Sequence, residues 1–238
     1  MRKKDKKSRH ALPDEEQCVF GRDLSPAAAE TYKLLRTNIL FALPDEQKCR
    51  IIGVTSASGG EGKSTTALNL SYMLAEAGER VLLIEGDMRL PSISRQLKLK
   101  AAPGLSNVLD GLSEVQEVLQ ESGLHSHLQV VSAGSIPPNP SELLGTKAVR
   151  ILIKNLSKNY DFIILDLPPA AEVADALVAS RLTDGMIIVV RKNYANRHDV
   201  ADAMQQFSYV NAKILGFVMT HAGADRRKGR PHWRDGPA

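Results

Sequence analysis

Short apolar runs alternate with helical stretches through most of the chain. Runs such as FIIL (162–165) and MIIVV (186–190) contain no polar alternation, which is the pattern of parallel strands buried on both faces. The runs predict strands at Ile51–Thr55, Val81–Glu85, Leu128–Ser132, Phe162–Asp166, Met186–Val190 and Ile214–Thr220. Between them, apolar residues at helical spacing predict helices at Lys63–Ala77, Ser113–Gln120, Thr146–Lys158, Ala171–Arg181 and Arg197–Val210. One more helix stands ahead of the first strand. Ser25 and Pro26 read as its N-cap and first turn, Tyr32, Leu35 and Ile39 fall at helical spacing, and Pro44 ends it. This rhythm implies an α/β fold, a mostly parallel twisted sheet with helices on both faces. Residues 1–25 and 222–238 lack periodicity and read as a flexible arm and a tail around a folded unit at 26–221.

Composition narrows the class. With 238 residues, 43% of them hydrophobic, the chain can bury a substantial core. No apolar run approaches the ~20 residues that span a bilayer. The opening MRKKDKKSRH has no apolar stretch behind it, so no signal peptide is expected. Cys18 and Cys49 have neither metal-ligand nor disulfide-framework spacing, so a reduced, cytoplasmic setting is expected. The net charge of +4 at first suggests a nucleic-acid partner, but its distribution argues otherwise. Residues 1–10 hold six Lys/Arg against Asp5, and 225–238 hold five against Asp225 and Asp235. The body at 11–224 is left with 20 basic and 24 acidic residues. No nucleic acid is expected; the basic ends suit weak contact with an anionic membrane surface.

The sharpest chemical signal is IIGVTSASGGEGKSTTALNL, a strand running through a glycine-rich turn into a helix. Gly59, Gly60 and Gly62 permit backbone conformations that turn successive N–H groups inward as an anion nest, and the helix N-terminus adds its own. Ser58, Glu61 and Thr65 complete the loop. Lys63 reaches β- and γ-phosphates in such loops, and the Ser64 hydroxyl ligates Mg²⁺. The consensus G-x-x-x-x-G-K-[ST] asks for glycine at 57, where this chain has alanine. Two further strands, VLLIEGD and DFIILD, deliver Glu85, Asp87 and Asp166 at their C-terminal ends, where ligands bind in open α/β sheets. Glu85 and Asp87, two apart on extended chain, can face one Mg²⁺–phosphate centre, and Asp166 can hold Mg²⁺ through a water.

With these motifs the chain resembles the bacterial tyrosine kinases of capsule and exopolysaccharide assembly, in the MinD/ParA-like branch of P-loop proteins. The resemblance covers roughly 26–221 and rests on ETYKLLRTNI, TSASGGEGKSTTALNLS, LLIEGDMRLPSI, PGLSNVL, PPNPSELL and DFIILDLPP. It implies ATP and Mg²⁺ as cofactors, Lys63 on the phosphates, and Ser64, Asp87 and Asp166 around the metal. It implies that Glu85, in place of the family's first aspartate, accepts the proton of the acceptor tyrosine. It places an oligomerisation motif on Glu30, Lys33 and Arg36, where Lys33 replaces an arginine, and so a ring-like homo-oligomer. It also implies a membrane-embedded chain-length regulator as activator, hence a peripheral position at the inner face of the cell membrane. Relatives of the MinD/ParA type carry a second lysine early in the loop; Ser58 stands there instead. The family's C-terminal tyrosine cluster has no counterpart after Tyr209, and Tyr32, Tyr72, Tyr160, Tyr194 and Tyr209 read as packing residues, so the acceptor is expected on another protein. Arg191 and Asn193, after the fifth predicted strand, are expected near the base or phosphates. Two other readings stay open: a catalytically weak ATP-binding scaffold of the export machinery, and a positioning ATPase.

Overall fold

A computed structural model describes residues 19–44 and 48–222. The basic ends, and with them Cys18 and Trp233, lie outside the described residues. Helix α1 (Pro26–Ala42) precedes strand β1 (Arg50–Ser56), helix α2 (Lys63–Glu76) and strand β2 (Val81–Glu85). Three short helices follow, α3 (Ile93–Gln96), α4 (Leu105–Leu109) and α5 (Val115–Val118), then strands β3 (Leu119–Glu121) and β4 (Leu128–Val131). Helices α6 (Pro140–Leu144) and α7 (Lys147–Leu156) lead to β5 (Phe162–Asp166), and α8 (Asp175–Ala179) leads to β6 (Gly185–Arg191). Helix α9 (Arg197–Tyr209) and strand β7 (Ile214–Thr220) finish the domain.

The seven strands form one sheet in the order β3-β4-β2-β5-β1-β6-β7, parallel throughout except for the β3–β4 pair. Alternate residues of the central strands feed two apolar layers. Ile52, Val54, Leu83, Phe162 and Ile164 pack with Leu68, Leu70 and Ile39 on the α1–α2 side. Leu82, Ile84, Ile163, Leu165 and Ile188 pack with Leu152, Ile153, Ala176 and Phe207 on the other. Burial on both faces is why these strands read as unbroken apolar runs. Register puts Val54 and Glu85 each beside Asp166, so the ends of β1, β2 and β5 stand side by side at one edge of the sheet.

The six expected strands are all present. Three expectations are corrected. The stretch Ser113–Gln120 is helical only at Val115–Val118, because Gln120 leaves the helix to pair with Val130 and to bond Lys100 N–H, Lys100 carbonyl and Ser132. The stretch Ala171–Arg181 is helical only from Asp175, because Ala170 and Ala171 give their N–H groups to Ser56 and Ala57 carbonyls rather than to a helix. Of the arm expected at 1–25, the described residues 19–25 are packed on the domain. Gly21, at φ +63, turns against Tyr72 and donates its N–H to Asn69 Oδ1 at 3.1 Å, while Phe20 and Leu24 pack under α2.

Candidate active site

The loop from Ala57 to Gly62 joins β1 to α2 at that sheet edge. Its shape needs glycine at two points: Gly60 at φ +76 and Gly62 at φ +92, the latter the N-cap of α2. A β-carbon is costly in that region of backbone space. The loop is held from outside by groups far away in sequence. Gly59 N–H donates to Glu172 Oε1 (2.8 Å), Ser58 Oγ to Asp199 Oδ2 (3.3 Å), and Thr220 Oγ1 to the Glu61 carbonyl (2.7 Å). Arg191 Nη1 donates to the Gly60 carbonyl at 3.2 Å and lies over the Tyr194 ring. Arg191 therefore borders the loop. Buried Glu61 sits within this frame, and burial pushes its carboxyl above the ordinary range.

Lys63 is the hub. Its ammonium donates to Asp87 Oδ2 at 2.7 Å and to Ser64 Oγ at 3.3 Å, and stands 3.9 Å from Asp166 Oδ1. Burial opposes the lysine's charge, but Asp166 and Asp87 outweigh it and hold the ammonium above its ordinary pKa. Asp87 is fixed in turn by Arg89 N–H (3.2 Å) and Leu90 N–H (3.0 Å) on its other oxygen. Asp166 is fully buried, and neither of its oxygens has a hydrogen-bond partner among the described residues. Burial pushes that carboxyl up to about 6, with Lys63 pulling the other way.

A buried carboxylate whose one ion pair, to Lys63, is as long as 3.9 Å is costly unless a closer cation meets it. Asp166, Asp87 and the Ser64 hydroxyl form an all-oxygen set beside a phosphate nest, the donor chemistry that Mg²⁺ prefers. The residues present fit a magnesium–nucleotide. Of the residues expected from sequence, Lys63, Ser64, Asp87 and Asp166 converge on one point.

Glu85 differs. It is fully buried, and both oxygens are occupied by backbone donors: Oε1 by Ile93 N–H (2.5 Å) and Ser94 N–H (3.3 Å), Oε2 by Ala133 N–H (3.2 Å). Arg89 is likewise engaged by the protein itself. Its guanidinium grips fully buried Asp175 through two bonds of 3.0 Å, and Ser141 Oγ donates to the same carboxylate. In α1, Lys33 pairs with Glu30 at 2.9 Å on the surface, and Arg36 donates to the Met73 carbonyl of α2 at 2.8 Å. The tyrosines divide. Tyr72 and Tyr160 are buried as expected, but Tyr194 and Tyr209 are exposed, correcting their reading as packing residues.

A family model described as an AAA domain matches residues 49–215. The tyrosine-protein kinase YwqD of Bacillus subtilis is 38% identical over 80% of this chain and 80% of its own. The tyrosine-protein kinase CpsD of Streptococcus pneumoniae serotype 4 is 36% identical over 81% and 83%. This chain belongs to the bacterial tyrosine-protein kinase family. Solved structures agree with that membership. The chimerical protein CapA2B2 superposes with a TM-score of 0.77 at 36% identity, covering 83% of this chain and 86% of that one. The kinase domain of the Escherichia coli tyrosine kinase ETK gives 0.79 at 27%, covering 95% and 89%. The septum site-determining protein MinD of Pyrococcus horikoshii, complexed with Mg-ADP, gives 0.63 at 26%, covering 77% and 74%.

Within this kinase fold, sequence reasoning missed Ser141, Glu172, Asp175, Asp199 and Thr220. Glu172 meets its partner Gly59 across 113 residues, and Asp175 meets Arg89 across 86. No local pattern announces such pairs. The one usable hint is the pair of acids at 172 and 175, three and six residues beyond the Pro-Pro turn and within an otherwise apolar stretch.

Proposed function

We propose that the chain transfers the γ-phosphoryl group of ATP, with Mg²⁺, to a tyrosine hydroxyl of another protein, in control of capsular or exopolysaccharide synthesis and export. One observation carries this reading: the Lys63 ammonium stands at a glycine-nest helix N-terminus, 2.7 Å from Asp87 and 3.9 Å from Asp166. The nest N–H groups and Lys63 would hold the β- and γ-phosphates and meet the charge that develops on their oxygens, so most of the rate comes from positioning and electrostatics. Ser64, Asp87 and Asp166 would hold the metal. Bound Mg²⁺ would neutralise phosphate charge and orient the transferred group.

Membership in the kinase family and the P-loop fold support the same reading, and the Mg-ADP named in the MinD structure supports the cofactor. The activator would be a separately supplied, membrane-embedded chain-length regulator, placing the kinase peripherally at the inner face of the membrane. Exposed residues of α1 around Glu30 and Lys33 would form contacts between copies in a ring. Arg36, already bonded to α2, would instead fix the angle at which α1 is presented.

Phosphotyrosine formed on incubation with MgATP and a cytoplasmic activator fragment tests the proposal. Lys63→Met is expected to lower it by about 10²–10³-fold or more, the scale of losing one donor aimed at the charge of the transition state. Undiminished phosphotyrosine in that variant would overturn the assignment.

A further inference from the structure

We infer that Glu85 is a positioning residue that closes the Gly86–Ser92 loop around Asp87, and is not the proton acceptor that the resemblance implies. The inference rests on the kinase reading for its functional consequence and on geometry for its substance. Glu85 ends β2, and its carboxylate returns to the first two N–H groups of α3, Ile93 at 2.5 Å and Ser94 at 3.3 Å. The seven residues between are thereby clasped at both ends. Inside that clasp lie Asp87, which touches Lys63, and Arg89, which grips Asp175. The second Glu85 oxygen takes Ala133 N–H at 3.2 Å, just beyond β4, so the loop is also tied to the strand's exit. Glu85 and the residues that hold its carboxylate, Ile93, Ser94 and Ala133, are all buried, as is Asp87.

A proton acceptor needs a lone pair within hydrogen-bond reach of an incoming hydroxyl. Three of the roughly four lone-pair sites of the Glu85 carboxylate accept N–H groups that would otherwise be buried without partners, and the carboxylate is fully buried, out of reach of an incoming hydroxyl. Chain length is part of the device. Aspartate at the end of β2 would stop one methylene short, and one carboxylate could not span both the α3 amides and Ala133 without moving the strand. The glutamate thus suits a clasp and not a conservative copy of a catalytic aspartate. Reaching Asp87 only through its own loop, Glu85 sets where the Lys63 partner sits.

The two readings predict opposite outcomes for restoring aspartate. Thermal melting of the nucleotide-free protein, MgADP affinity by calorimetry, and phosphotyrosine formed on a Glu/Tyr copolymer at saturating MgATP are measured for wild type, Glu85→Asp and Glu85→Gln. A clasp predicts that Glu85→Asp melts lower and binds MgADP about tenfold or more weakly, the scale of losing a bond to a charged group, and that transfer does not rise. It predicts that Glu85→Gln, which keeps the carbonyl acceptor for α3 and sets its amide against Ala133 N–H, melts lower but keeps turnover within about tenfold. If Glu85→Asp binds MgADP as wild type does and transfers as fast or faster, the inference fails. It fails equally if Glu85→Gln binds and melts as wild type while turnover drops about 10²–10⁴-fold, the loss expected of a general base. Should Glu85→Asp not fold, the Gln variant alone decides. Absence of phosphotyrosine in wild type would count against the kinase reading only, since melting and MgADP binding still report on the clasp.

Discussion

At the scale of single residues, the ion pair between Arg89 and Asp175 is the most consequential contact outside the phosphate loop. Asp175 is fully buried, with two guanidinium bonds and the Ser141 hydroxyl as its partners. Removing one member of such a pair strands the other, whereas the partial exposure of Arg89 tempers the cost. Asp175→Ala is expected to lower stability by about 2–3 kcal/mol. In a urea double-mutant cycle with Arg89→Ala, the combined loss should fall short of the two single losses by about 1 kcal/mol or more. Strict additivity would mean the pair is not coupled. Cys49 gives a second residue-scale test. Burial pushes its thiol up to about 12, with Asp184 and Asp161 adding to the effect. A raised pKa keeps the thiol neutral, so alkylation at pH 8 should run about 10³-fold slower than for a free thiol. The rate should still climb about tenfold per pH unit between pH 9 and 11, where a free thiol has levelled off; peptide mapping after timed alkylation reads this. Legibility at this scale follows chain distance. Lys63, Ser64, Asp87 and Asp166 stand in motifs whose backbone context is local. Glu85 is legible as a position and misleading as a role, because its three partners are backbone amides on α3 and beyond β4.

At the scale of elements, α1 is the test of how well amphipathic spacing reports docking. Ile39 and Leu43 are buried against α2 and the sheet, while Phe41 between them is 87% exposed. Ile39→Ala is expected to cost about 2–4 kcal/mol in chemical denaturation, and Phe41→Ser to stay within about 0.5 kcal/mol. Equal costs would contradict the placement of α1. The long elements were legible because burial on both faces of the sheet forces uninterrupted apolar runs, and because α7 and α9 carry periodic faces. Short elements were not. Helix α4 starts where Leu105 and Ser106 N–H groups bond the Ser132 and Ala133 carbonyls, and β3 exists only because Gln120 and its neighbours pair with β4. Such elements are made by tertiary contacts that no run of three to five residues can encode.

At the scale of the whole molecule, topology explains why one edge carries the chemistry. Strands β1, β2 and β5 are parallel neighbours, so their C-terminal ends bring the glycine loop, Asp87 and Asp166 together without any long detour of chain. No helix among the described residues is long and apolar enough to cross a membrane. The same site could in principle pass phosphate to water, as a positioning ATPase does, or to a tyrosine. Counting both products in one reaction separates these most directly. With MgATP, activator fragment and a tyrosine acceptor present, the account predicts close to one phosphotyrosine for each ADP released, and loss of both products in Lys63→Met. ADP accumulating without phosphotyrosine would contradict it.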